Sequence, residues 1–416
     1  MRVLFAVFPA EAHTAPVVPL AWALRNAGHE VRVATHPDLT RPVTDAGLAA
    51  VPVGGAASLA QLVDLGRNPA LRDHPEGGLA VDPERRLDWG ATWYRTTRVL
   101  AGMRPLMEEL TGIAVRWRPD LVLWDPLCLP AAVAARLSGA AHARLLWGQD
   151  NVAWLRGRYQ RYMQQAQPGG WPDPLEEVMQ QLLEPYGLPY EEELLLGQWT
   201  IDPMPPGMRL PAAVRYEPMR WVPYEGGVRV PDWLHTRPAR PRVCAVLGKA
   251  GRGRPAPLDG RLSATELFAA AAGLDVELIV SPDPETGGGP VPPGRVRQLD
   301  RIPLGQVLPE CAAIVHHGGE AEFAAAAVHG VPQLIVPTPF WGEETAADYV
   351  VSRGAGLALD RMECGRGPLR DSLTALLHDP GFRERAALLR EELVAVPAPA
   401  RLVPVLEELT GRHQRI

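Results

Sequence analysis

The segment around His317 constrains the fold most. An apolar run at residues 312–315 has the length and composition of a buried strand. His317-Gly318-Gly319-Glu320-Ala321-Glu322 follows, and an alanine-rich run at 323–328 reads as a helix. Gly330-Val331-Pro332 ends that helix and leads into a second apolar run, 333–336. Strand, glycine turn, helix and strand make a βαβ unit, with parallel strands and a right-handed crossover. A glycine pair lets backbone approach a ligand closely, and a helix N-terminus offers N–H groups and partial positive charge. Open α/β sheets bind ligands at the carboxyl ends of their strands, where this loop lies. A ligand-free turn would use the same glycines, so the loop is a candidate anion site that its context must decide.

The same alternation recurs upstream. Residues 3–7 read as a strand, 17–26 as a helix ending at Gly28, and 30–34 as the next strand; Glu11 and His13 stand in the first loop. A further unit spans 119–148, with strand 121–124, Asp125 at its end, helix 131–137 and strand 143–147. Patterning is weaker at 51–115 and 149–185, which carry Trp89, Trp93, Trp154 and Tyr159. Insertions of this kind build the substrate side of many α/β sites, although any one tryptophan can instead cap the core. Trp147, which closes a strand, reads as the most core-like of the aromatics. Proline-rich punctuation separates the halves, after which strand 242–247, helix 264–272 and strand 276–280 open a second domain. The expected division is 1–225, a linker at 226–241, a second domain at 242–395, and a helical tail at 396–416 that packs back on the first domain.

A chain of 416 residues suffices for two domains with separate cores. The net charge of -6 and the lack of a basic stripe argue against nucleic acid. Cys128, Cys244, Cys311 and Cys364 show no metal-ligand spacing, and the first three lie in apolar runs that read as core. The chain enters a strand pattern at once, without a signal-peptide cleavage site, and no apolar stretch reaches the roughly 18–20 residues of a membrane span. The expectation is a cytoplasmic protein with neither metal nor membrane partner. Lys249 is the only lysine among many arginines, and this bias, with abundant Ala, Gly and Pro, is that of a GC-rich, actinobacterial-type genome.

Longer stretches carry a family resemblance. They are V-P-L-A-W-A-L-R-x-A-G-H-E-V-R-V-A at 18–34, R-P-D-L-V-x-W-D-P-L at 118–127, H-A-R-L-L-W-G-x-D at 142–150, G-Q-W-T-I-D-P at 197–203 and C-A-A-I-V-H-H-G-G at 311–319. Nearly end to end, the chain resembles actinobacterial macrolide and polyketide glycosyltransferases, the desosaminyl and mycaminosyl transferases among them. The resemblance implies an α/β GT-B fold, two Rossmann-like domains facing a central cleft, the first for acceptor and the second for a nucleotide sugar. It implies natural-product tailoring: a deoxysugar passes with inversion from a dTDP-sugar co-substrate to an aglycone hydroxyl. Its partners would be a large hydrophobic small molecule, a P450-like auxiliary protein and a second copy in a homodimer.

Residue by residue, the resemblance makes His13 the general base and Asp125 the carboxylate that orients it, with Asp150 a second candidate. The acceptor side takes Glu11, Trp89, Trp93, Trp147, Asp150, Trp154 and Tyr159. The donor side takes His317, Gly318, Gly319, Glu322, Lys249, Arg252, Ile302, Glu343 and Glu344. Three donor-side departures stand out. Ala321 and Glu322 replace the family's Gly and Ser/Thr; Gly248-Lys249-Ala250-Gly251-Arg252 replaces a serine-bearing loop; and Pro339-Phe340-Trp341-Gly342-Glu343-Glu344 replaces a segment that brings an Asp to the sugar. Lys249, Arg252 and Arg254 could neutralise phosphate, a Lys249–Glu322 pair could replace the nucleotide, and a protonated Glu322 could donate to phosphate. Two alternatives therefore stay open beside glycosyl transfer: a repurposed GT-B protein doing acid–base chemistry (cyclisation, elimination or isomerisation) on a polyketide-type substrate, and a non-catalytic partner of an active glycosyltransferase.

Overall fold

In a computed structural model of the chain, the described residues are 1–8, 11–55, 104–166, 173–247, 262–281, 294–338 and 342–414. Trp89, Trp93, Lys249 and Arg252 lie outside them, as do Arg254 and Trp341, and Glu11 is described by its backbone alone. The chain divides into two compact units, Met1–Gly226 with Pro397–Ile416, and Gly227–Val396.

Short apolar runs supply the strands of the first unit. Among the described residues these are β1 (Arg2–Ala6), β2 (Glu30–Thr35), β3 (Ala49–Pro52), β4 (Leu121–Trp124), β5 (Ala141–Leu145), β6 (Trp199–Asp202) and β7 (Tyr216–Pro218). They form one parallel sheet in the order β3-β2-β1-β4-β5-β6-β7. Strand order thus reverses between β1 and β4, the switch point where parallel sheets part their loops. On one face, Val17, Val18, Leu20, Ala21 and Leu24 of helix Val17–Asn26 pack with Leu402, Val403, Leu406 and Leu409 of helix Pro399–His413 against Val3, Phe5, Leu121, Leu123 and Ala143. Helix Pro130–Ser138 and its neighbour Arg104–Trp117 pack together, and the former also meets β4 and β5.

The second unit repeats the plan with β8 (Arg242–Val246), β9 (Glu277–Val280), β10 (Val296–Gln298), β11 (Cys311–His316), β12 (Gln333–Ile335) and β13 (Gly356–Ala358). Its parallel order is β10-β9-β8-β11-β12-β13, with the reversal between β8 and β11. Two small cores flank this sheet, one around Phe268, Leu278 and Leu373, the other around Ile279, Ile314 and Leu308.

Two readings from sequence need correction. β5 is Ala141–Leu145, not 143–147: it starts two residues early because His142 is a buried strand residue that an apolar pattern does not reveal, and it ends before Trp147. Much of the stretch read as linker is not a free tether. Its short 3-10 helix Asp232–His235 sets Trp233 and Leu234 against the core of the second unit, and Arg242 and Arg297 lie over the Trp233 ring at 4.9 and 4.6 Å. Cys128, Cys244, Cys311 and Cys364 are all free and buried. Among the described residues no helix is long and apolar enough to cross a membrane.

Candidate active site

The first switch point brings His13 and Asp125 together. Ala6 of β1 lies opposite Trp124 of β4, so the loops leaving both strands start side by side. The first runs into the short helix Glu11–Thr14, which carries His13. The second begins at Asp125, whose N–H still donates to the Ala6 carbonyl at 3.0 Å. His13 Nδ1 stands 2.5 Å from Asp125 Oδ2, with the two side chains 8% and 4% exposed. Asp125 Oδ1 accepts the Leu127 N–H at 2.8 Å, so both carboxylate oxygens are held. A carboxylate only accepts, which puts the proton on Nδ1 and leaves the lone pair on Nε2. Nε2 has no hydrogen-bond partner among the described residues.

Aromatic rings hold the imidazole plane. Trp147 lies with its centroid 4.1 Å from that of His13, tilted by 32°, and Phe8 lies at 5.2 Å. An imidazolium formed during reaction would rest beside the Asp125 carboxylate and against the Trp147 and Phe8 rings. Trp147 lies two residues beyond the end of β5, is only half-buried and stacks beside His13, so it is not the strand-closing core residue expected from sequence. Phe8 went unread in the sequence; its signal was its place in the first loop, two residues beyond β1. Cys128, three residues beyond Asp125, is not a rival nucleophile, since burial and the Asp125 charge push its thiol far above the usual range.

Other acceptor-side candidates are placed differently. Asp150 accepts from both terminal nitrogens of Arg144 at 2.9 and 2.6 Å, from Tyr216 Oη at 2.9 Å and from the Ala153 N–H at 3.1 Å. Its hydrogen bonds go to the buried Arg144 ion pair, to Tyr216 and to the Ala153 N–H, and it is Asp125, not Asp150, that bonds His13. Trp154 and Tyr159, both on helix Asn151–Ala166, are 1% and 7% exposed and so are buried among the described residues. The described residues thus give this side of the site Trp147 and Phe8, without a broader aromatic wall.

The second switch point builds the glycine loop. Gly318 has φ +89°, and a Cβ there would stand 2.8 Å from the Glu343 carbonyl oxygen, so only glycine fits. Gly319 is the N-cap of helix Glu320–His329, whose first turn carries Glu320 and Glu322. The first N–H groups of a helix lack partners within it, which leaves a cradle of donors there. His317 does not point its imidazole into that cradle. Nδ1 lies 3.3 Å from the Val336 carbonyl and Nε2 3.0 Å from the Leu247 carbonyl, so the ring braces the ends of β8 and β12. The Glu322 carboxylate folds back over the turn, with Oε2 2.5 Å from where a Cβ on Gly319 would be. An anion at the helix N-terminus would meet that carboxylate.

Helix Glu343–Ser352 begins against the same loop. Glu343 is 5% exposed and accepts the Gly342 N–H at 3.0 Å, while Glu344 is half-buried. Ile302 is a core side chain beside Val307 and Ile314, which leaves only its backbone for a ligand. His316, beside His317 in sequence, is fully buried and was not singled out from sequence. Its signal was the histidine pair itself, since an apolar strand seldom ends on two imidazoles.

Known proteins resemble the chain along nearly its whole length. The description "Erythromycin biosynthesis protein CIII-like, N-terminal domain" fits residues 22–248, and its C-terminal counterpart fits residues 265–409. Aclacinomycin-T 2-deoxy-L-fucose transferase of Streptomyces galilaeus is 40% identical over 431 residues, covering 100% of this chain and 97% of that protein. The 10-deoxymethynolide desosaminyltransferase of Streptomyces venezuelae is 40% identical, covering 100% of this chain and 98% of its own length. The solved structure of glycosyltransferase VinC in complex with dTDP superposes with a TM-score of 0.87 at 34% identity, covering 99% of this chain and 100% of VinC. Two parallel α/β units, a histidine–carboxylate pair at the first switch point and a glycine loop at the second coincide with end-to-end similarity to these enzymes, and the chain belongs to the erythromycin biosynthesis protein CIII-like family of GT-B glycosyltransferases.

Proposed function

We propose that the chain transfers a deoxysugar from a dTDP-sugar to a hydroxyl of a polyketide-type aglycone, with inversion at the anomeric carbon. The observation that supports this most is the His13–Asp125 pair, a base with its orienting carboxylate at the switch point of the first unit. In this reading Nε2 of His13 takes the acceptor's proton as its oxygen attacks, and Asp125 stabilises the imidazolium that results. The N–H groups of the helix after Gly319 take the leaving diphosphate, with the helix dipole in place of a cation. The relatives' printed activities, transfer of 2-deoxy-L-fucose, desosamine and daunosamine, support a deoxysugar as the group moved.

A large hydrophobic acceptor is the small-molecule partner, with Trp147 and Phe8 beside the reacting histidine. The family resemblance also supports a P450-like auxiliary protein, a homodimer and a cytoplasmic location. One observation favours a second reading. The Glu322 carboxylate lies at the helix N-terminus, which suits a protein that has given up sugar nucleotides and keeps His13 for acid–base work on the same class of substrate. Thermal shift with dTDP and UDP separates the two: at one hundred times the dissociation constant a ligand adds roughly 2.7 kcal/mol. Stabilisation by dTDP supports glycosyl transfer, and no shift at millimolar nucleotide counts against it. Transfer itself is tested by mass spectrometry of aglycones incubated with dTDP-deoxysugars, where the added deoxysugar mass is the expected product.

A further inference from the structure

His316 ends β11 at 0% exposure, and its two ring nitrogens do different things. The Gly318 N–H donates to Nδ1 at 3.0 Å, and Nε2 lies 2.9 Å from Gln333 Oε1 on β12. A backbone N–H can only donate, so Nδ1 carries no proton. The ring's one proton is then on Nε2 and goes to the Gln333 oxygen. Turning the Gln333 amide over would set its NH₂ against that N–H, so the same logic fixes the amide. The ring is a neutral spacer of one tautomer between β12 and the glycine loop. Burial, the largest cause, lowers His316 to about 4, in keeping with a neutral ring. What it holds is the N–H of the one loop residue at φ +89° whose backbone abuts Glu343.

We infer that His316 is a positioning residue for the anion-binding loop, fixing the Gly318 turn through a single imidazole tautomer that the Gly318 N–H sets and the Gln333 oxygen matches. This rests on the reading of the loop as the site of the donor diphosphate. Gln333→Glu and Gln333→Met test it together. Both keep the length of the side chain, but only the carboxylate favours an imidazolium. In Gln333→Glu, Nδ1 therefore gains a proton and opposes the Gly318 N–H, donor against donor. In Gln333→Met the tautomer persists, held by Gly318.

Three measurements read the outcome: ¹⁵N shifts of the His316 ring, amide exchange across residues 318–322, and dTDP affinity by calorimetry with donor KM and kcat. In the wild type one protonated ring nitrogen, Nε2, is expected, and in Gln333→Glu two. Gln333→Glu should speed loop exchange and weaken dTDP and raise donor KM by about tenfold or more, with kcat changed less. Gln333→Met should stay within about threefold. Equal losses in both variants, or a wild-type ring protonated on Nδ1, would overturn the role of His316 and leave only packing. Failure of the wild type to bind dTDP would instead overturn the donor reading, and the ring shifts and loop exchange would still decide the positioning role. Should Gln333→Glu not fold, His316→Asn and His316→Leu replace it. The Asn amide oxygen can accept the Gly318 N–H and should retain loop protection, whereas Leu cannot; equal protection in the two would overturn the inference.

Discussion

Replacing Glu322 by Gln removes one charge at nearly constant shape, which isolates the electrostatic effect of the carboxylate. Oε2 lies 2.5 Å from the Cβ position of Gly319, at the mouth of the helix that would take a diphosphate. A phosphate oxygen in that cradle would approach the carboxylate to about 4 Å, a repulsion of roughly 4 kcal/mol per charge pair at an effective dielectric of 20. The side chain is half-exposed, so solvent and salt cut this to on the order of 1.5–3 kcal/mol, about tenfold to a hundredfold in affinity. The helix loses a favourable first-turn carboxylate, about 0.3–1 kcal/mol, which affects stability and not binding. Calorimetry with dTDP at two ionic strengths measures the difference. Glu322→Gln should bind at least tenfold more tightly than wild type, and the gap should narrow as salt rises. Adding Ala321→Gly should widen it by opening the backbone. Tight wild-type binding that Glu322→Gln leaves within twofold would refute the reasoning, because the carboxylate would then be neutralised or turned away when nucleotide binds.

His13→Ala should lower turnover by about 10²–10⁴-fold with the fold intact by circular dichroism, and Asp125→Asn by less; activity within a few-fold of wild type for His13→Ala would remove it from the mechanism. Trp147→Leu, which takes away the ring 4.1 Å from His13, should reduce kcat by several-fold to about tenfold, and an unchanged kcat would show the stack to be incidental. His142 and His316 are lowered from 6.5 to about 3 and about 4, chiefly by burial. A depressed folded-state value gives stability present above 6.5 and lost as pH falls toward 4 and then 3. At pH 5 each costs roughly 2 kcal/mol, measurable by denaturant titration at pH 7 and 5. Asp202, raised to about 6 by burial, runs the other way: its contribution is complete below 3.8 and lost as pH rises through 6, so Asp202→Asn should steepen the acid loss.

Legibility followed the kind of interaction. Helix Val17–Asn26 and strand β4 lie where their apolar spacing puts them, because a one-sided or fully buried element writes its burial into every residue. The Arg104–Trp117 helix hides in a stretch of weak pattern, since only Met107, Leu110 and Ala114 are buried. β7, β10 and β13 have three residues each, too few for a period. Among site residues, His13 and Asp125 could be paired through family text, but neither spacing nor composition shows that 112 residues close to one hydrogen bond. Asp150 misled because its partner, Arg144, is a charge at 0% exposure in mid-strand, which no hydropathy pattern anticipates. The orientation of His317 depends on carbonyls 70 and 19 residues away.

The return of segment 397–416 to the first unit sets an order for folding on the ribosome. Leu402, Val403, Leu406 and Leu409 complete the core laid down by β1 and helix Val17–Asn26, each burial worth about 1.5–3 kcal/mol. During synthesis the first unit emerges first yet stays unfinished until the whole second unit has been translated. The second unit, continuous from Gly227 to Val396, can close before it. The early unit must therefore wait with an uncovered apolar face, the condition in which chaperone dependence and inclusion-body formation arise. For building hybrids between relatives, the seams fall at 226/227 and 396/397, and the tail has to travel with the N-terminal half.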